Sequence, residues 1–102
     1  MMDLQALHDW FGDELRERNR RYLAGLLELE RRTLEGRQPS ADDRRLILDA
    51  MDSATNTLAL GEPEREEILI ARRILLACES IRIHALLNDQ RDFCTAFQPA
   101  GG

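Results

Sequence analysis

Residues 16–22, RERNRRY, place four arginines within seven positions of a chain whose formal net charge is −5. A concentrated positive patch is what a phosphate backbone requires. On a helix each residue advances about 100°, so Arg16 and Arg20 share one face while Arg18 and Arg21 share another. Glu14 stands four residues before Arg18, Glu17 four before Arg21, and Glu28 four before Arg32. That order favours pairing along a helix. Through residue 36 the segment carries eight acids against six arginines. Interleaved signs read as a solvated, salt-laced face. Binding of DNA through Arg16, Arg18, Arg20 and Arg21 is the weaker alternative.

A second concentration of chemistry lies in residues 77–87, ACESIRIHALL. Cys78 and His84 are six apart, about 120° around a helix, so they diverge and cannot ligate one ion locally. Ser80 and His84 are four apart and within hydrogen-bonding reach on a helix. Without an orienting acid or an oxyanion hole they make no catalytic set. Cys78 has Arg82 four residues on, which would lower its pKa if both were exposed. Burial on an apolar helix favours an inert core thiol instead. His8-Asp9 is isolated. No phosphate-binding glycine loop, Cys-x-x-Cys or His-Glu-x-x-His is present. No catalytic residue, cofactor or metal is therefore assigned, and an enzyme is not expected.

The elements that must position these residues are helical. A chain of 102 residues, 43% hydrophobic and 32% charged, suits one folded domain with a modest core. Leu, Ala, Glu and Arg dominate, and all are good helix formers. Breakers cluster at Gly36 to Pro39, Gly61 to Pro63 and the tail from Gln98. Between them the apolar residues recur at helical spacing.

A first helix is expected from about Asp3 to Glu35, with Leu4, Leu7, Phe11, Leu15, Tyr22, Leu26 and Leu29 on one stripe. Gly12 is a candidate break, and Gly36 a natural stop. Ser40 with Asp43 approximates a capping box for a second helix, about Ala41 to Leu60, with Ile47, Ala50, Met51, Ala54 and Leu58 inward. Gly61 ends it. Pro63 suits the first turn of a third helix, where Glu64, Glu66 and Glu67 meet the positive helix end. This helix, to about Asn88, is apolar almost all round, which marks it as the most buried element. Residues 89–97 are expected to add a short turn, and 98–102 a flexible tail. The fold class is thus all-α. It is a small bundle of three main helices, a long first helix followed by an αα-hairpin, within one domain spanning 1–97. A recognition helix of the helix–turn–helix type is disfavoured, because the third helix begins with glutamates and offers few polar side chains to base edges.

Asn19 falls on the inward stripe between Leu15, Tyr22 and Leu26. It is either a register-fixing polar residue or a sign that the stripe is locally exposed. The first helix, ~50 Å long against ~30 Å for the second, would overhang its bundle, and a homodimer would cover the excess. Trp10 and Phe11 adjoin near one end, and Phe93 and Phe97 lie one turn apart near the other. Both pairs either anchor a partner or close the core ends.

The candidate partner-binding residues are Trp10, Phe11, Arg18, Arg21, Tyr22, Phe93 and Phe97. The expected function is that of a small cytoplasmic regulator acting on another protein. An anti-activator, an inhibitor of a transcription factor and a secretion chaperone all fit that description. No apolar run approaches the ~18 residues of a membrane span, and residues 1–14 do not read as a secretory signal.

Overall fold

The computed structural model describes the backbone of residues 4–60 and 63–96, and the side chains of residues 13–60 and 63–90. Three helices account for nearly all of it: α1, Leu4–Leu34; α2, Ala41–Ala59; α3, Arg65–Ala96. α1 runs through Gly12 without a break. Residues 89–96 continue α3 and do not form a separate turn. Phe97 and the tail lie outside the described residues.

Local chemistry sets the helix ends. Gly36 takes φ +93°, a conformation that suits a residue without Cβ. Its N–H donates to the carbonyl of Thr33, and the Arg37 N–H donates to the carbonyl of Arg32. These two bonds satisfy α1's terminal carbonyls in a Schellman arrangement. Asn88 of α3 donates its amide to the Thr33 carbonyl as well, at 2.9 Å. Ser40 and Asp43 form the expected capping box at the start of α2. The Ser40 backbone N–H, with help from Arg32, holds the Asp43 carboxyl below the usual carboxylate range. Pro63 precedes α3. The Glu67 carboxylate caps the start of α3 by accepting from the Glu64 N–H at 2.9 Å.

The helices run up, down, up. Arg16 meets Glu64 and Glu67 at the start of α3, and Thr33 meets Asn88 seventeen residues further along α1. α1 and α3 are therefore parallel. α2 returns antiparallel, joining Asn19 to Thr57 at one level and Arg32 to Asp43 at another. Arg16 lies level with the beginning of α3, so α1 continues about 18 Å beyond that level to Leu4. The molecule is a rod of 73 × 21 × 17 Å.

The core is narrow. Leu26, Leu29, Ile74 and Ile81 are its large buried aliphatic side chains, and Ala50, Ala54, Ala71, Ala77 and Cys78 fill the rest. Tyr22, Leu23, Leu46, Ile47, Ile70 and Leu75 pack against its flanks. Small residues let the helices approach closely. At Gly25, an added Cβ would come within 3.2 Å of the Leu46 side chain.

Two expectations about the core are corrected. Met51 and Leu58 are more exposed than buried-core residues should be. They lie about 100° and 80° round α2 from Ala50, at an edge that no fourth helix covers. α3 is apolar all round but not surrounded. In a three-helix bundle each helix keeps an outward face, and here that face carries Leu69, Leu76, Ile83 and Leu87, all exposed.

Asn19 is the buried polar residue that the sequence left open, and it is fully enclosed. Its amide donates to the Thr57 hydroxyl at 2.8 Å. Its carbonyl accepts from the Ser53 hydroxyl. Thr57 in turn donates to the Ser53 carbonyl at 2.9 Å. Replacing Asn19 by Leu would strip Ser53 and Thr57 of a partner while both stay buried. We predict a loss of about 1–3 kcal/mol in urea unfolding; a change below half a kcal/mol would show that the three groups do not act together. Ile81→Ala should cost about 2–5 kcal/mol, the range for emptying a buried aliphatic site. Leu34→Ala, at an exposed site near the end of α1, should stay within about 0.5 kcal/mol in the same measurement.

Candidate functional site

The arginines of residues 16–21 divide into two pairs. Arg16 donates to Glu64 at 2.6 Å and lies 3.4 Å from Glu67. Arg20 pairs with Glu66. The two therefore tie α1 to the glutamate-rich start of α3 and are already neutralised. Arg18 and Arg21 are exposed and form no ion pair among the described residues. The pairings expected along α1 are not those seen. Glu28 binds Arg31, three residues on, and Arg32 turns to Asp43 of α2. Neither Glu14–Arg18 nor Glu17–Arg21 forms, and the arginines of this stretch that do pair, Arg16 and Arg20, pair across the bundle with the glutamates at the start of α3. Across-bundle carboxylates are invisible to a rule that looks only along one helix.

Of the expected partner-binding residues, Tyr22 is half-buried against the core, while Arg18 and Arg21 remain at the surface. The side chains of Trp10, Phe11 and Phe93 lie outside the described residues, as does Phe97. Ser80 and His84 sit half-buried on α3. No group of three or more His, Cys, Asp or Glu among the described residues is placed to hold a metal ion.

Among the described residues, a groove of about 580 Å³ lies between α2 and α3. Its walls are Ile47, Leu48 and Met51 from α2, and Leu75, Cys78 and Leu86 from α3. Leu48 is 67% exposed and Leu86 50%. Arg44, Glu79, Arg82 and Asp89 stand at its margins, and Gln38 and Pro39 of the α1–α2 loop close one end. Gln38 is anchored there by donating to the Ala85 carbonyl at 3.0 Å. From Met51 to Pro39 the groove runs about 20 Å, the length of three to four helical turns. An apolar floor with a mixed-sign rim is the usual anatomy of a protein-docking surface. It matches the mode in which an amphipathic helix lays its apolar face into a cleft.

The groove was not found from the sequence, because Leu48, Met51 and Leu86 look like ordinary helical leucines and methionines. The available signal was an excess. α2 and α3 carry more large apolar residues than the faces of a three-helix core can hold.

Cys78 forms part of the groove's floor as a free thiol. Burial pushes it up to about 11. Arg82 does not activate it, because that guanidinium is held by Glu79 at 2.8 Å, which in turn lowers the Glu79 carboxyl.

No family model, curated protein or solved structure matches the chain. Among the described residues, no helix is long and apolar enough to cross a membrane.

With a pKa near 11, only about one thiol in a thousand is ionised at pH 8. In a Cys94→Ser background Cys78 should react with a disulfide reagent far more slowly in the folded protein than in urea. The native rate should climb until the pH passes about 11. Equal rates in the two states at pH 8 would place the thiol at the surface.

Proposed function

We propose that the protein is a small cytoplasmic regulator that works by binding another protein, in the manner of an anti-activator or inhibitor that sequesters its target, and that it does so as a homodimer. The observation that carries this reading is the groove between α2 and α3. Its exposed leucines and methionine are contiguous, and contiguous apolar surface on a small protein marks an interaction site. The occupant it suits is an amphipathic helix of the target, with leucine-like anchors at i, i+3/i+4 and i+7 spacing. A secretion chaperone would use the same groove on a different client. The excess of large apolar side chains outside the core supports self-association as a second use of the surface.

The alternative is a DNA-binding regulator using the arginines of residues 16–21. The ion pairs of Arg16 and Arg20 weigh against it, since a phosphate would have to displace Glu64, Glu66 and Glu67. That leaves Arg18 and Arg21, two charges on one helix face of an acidic chain.

The test is in-cell photo-crosslinking from position 48 in the native host, followed by titration of the captured protein. Leu48→Glu and Leu86→Glu should each weaken that binding by more than about 1 kcal/mol, roughly tenfold, with circular dichroism unchanged. Arg18→Ala with Arg21→Ala should act mainly on the association rate at low salt. Binding to random duplex DNA with a steep salt slope, lost in the double arginine variant and kept in Leu48→Glu, would overturn the proposal in favour of the DNA reading.

A further inference from the structure

Leu69, Leu76 and Ile83 follow one another at intervals of seven residues, with Leu87 four further on. Seven residues turn a helix by 700°, within about 20° of a whole number of turns. The four side chains therefore form a nearly straight line along α3. They lie opposite Ala71, Ile74, Cys78 and Ile81, which face the core. α3 thus carries two apolar stripes of coiled-coil spacing on opposite sides, and the bundle uses one. Leu76, at the middle of the second, is 63% exposed.

The charges beside this stripe say what would cover it. Arg72 and Glu79 lie on one flank, about 20° apart around the helix, and Arg73 lies on the other. All three are exposed. Two parallel copies of α3 would bring Arg72 of one against Arg73 of the other, which is repulsive. Two antiparallel copies related by a twofold axis bring like flanks together. With the axis at Leu76, Leu69 meets Ile83 of the second copy, because each is seven residues from the centre. Arg72, four residues before Leu76, meets Glu79, three residues after it, within about 1.5 Å of the same level. The pairing occurs twice, as twofold symmetry demands. Leu87 then lies over the aliphatic stem of Arg65. Glu79 already accepts from Arg82, but it is half-exposed and can accept from a second guanidinium.

We infer that α3's outward face is a homodimer seam, in which two copies pack antiparallel about an axis at Leu76 with reciprocal Arg72–Glu79 ion pairs. This rests on the reading of the chain as a self-associating protein, and it adds the face, the direction and the register. The seam leaves the α2–α3 groove open at its α2 wall, so a dimer would present two grooves.

Sedimentation equilibrium of the full chain at micromolar concentration tests it. The wild type should sediment at twice 11.7 kDa. Leu76→Asp, on an exposed site, should keep its helical circular dichroism and weaken dimerisation by about thirtyfold or more. Arg72→Glu and Glu79→Arg should each weaken it by about tenfold, and the double variant Arg72→Glu/Glu79→Arg should recover most of the loss. A wild type that sediments as a single chain overturns both this inference and the dimeric reading beneath it. A dimer indifferent to Leu76→Asp overturns the seam alone. A dimer broken by Leu76→Asp but not rescued in the double charge variant overturns the antiparallel register.

Discussion

The amide of Asn19 settles how α1 and α2 lie against each other. It is enclosed by the bundle and spends its oxygen on Ser53 and its nitrogen on Thr57. A buried polar group costs little only while these bonds are made. Sliding α2 by one turn would keep leucines against alanines and so cost little in apolar contact. It would, however, leave an amide and two hydroxyls unpaired. The penalty falls on wrong registers rather than adding much to the right one, as with a single buried asparagine in a coiled coil. With Asn19 placed, Arg32 reaches Asp43 and Gly25 accepts Leu46. The start of α3 is held separately, by Arg16 and Arg20, and its later part by Asn88 on the Thr33 carbonyl of α1.

That need for register follows from the core's composition. Large aliphatic residues have distinct shapes that resist misalignment, whereas alanines are nearly interchangeable. Here five of the nine buried hydrophobic positions are Ala or Cys. Packing alone would tolerate several alignments, and the polar set chooses among them.

Helix number, helix type and most helix ends were legible in the sequence because each is a local property. Gly36, Ser40 with Asp43, and the 3.6-residue periodicity act within a few positions, and α1 and α2 lie within one residue of their expected bounds. α3 was foreseen as a helix but not as one continuous rod to Ala96, since Asn88 and Asp89 resemble a stop when read locally. Asn19 could be flagged from its place on an apolar stripe. Whether it was buried depended on Ser53 and Thr57, more than thirty residues away. The pairings of Arg16 and Arg20 were illegible for the same reason. Their partners on α3 are 46 to 51 residues distant, beyond any rule about neighbours on one helix. The α2–α3 groove is a property of two helices side by side, and neither alone announces it.

The all-round apolar character of α3 then takes on a different meaning. Read in isolation, it says that the helix is central. Within a bundle of three helices no element is central, and each must face water on one side. An apolar outward face is therefore a surplus that folding does not explain. Eleven large hydrophobic residues are exposed among the described positions, against four large aliphatic side chains fully enclosed. Scattered singly, exposed leucines carry no information. Here seven of the eleven are ordered, Leu48, Met51 and Leu86 along the α2–α3 cleft and Leu69, Leu76, Ile83 and Leu87 in a line on α3. Order of that kind has a physical consequence that scatter lacks. A line of leucines at seven-residue spacing can be covered by one helix at little cost in rearrangement, because the face is already rigid and already straight. The ordering entropy that opposes association is therefore partly met by the fold itself, through the same buried contacts that hold α3 in place.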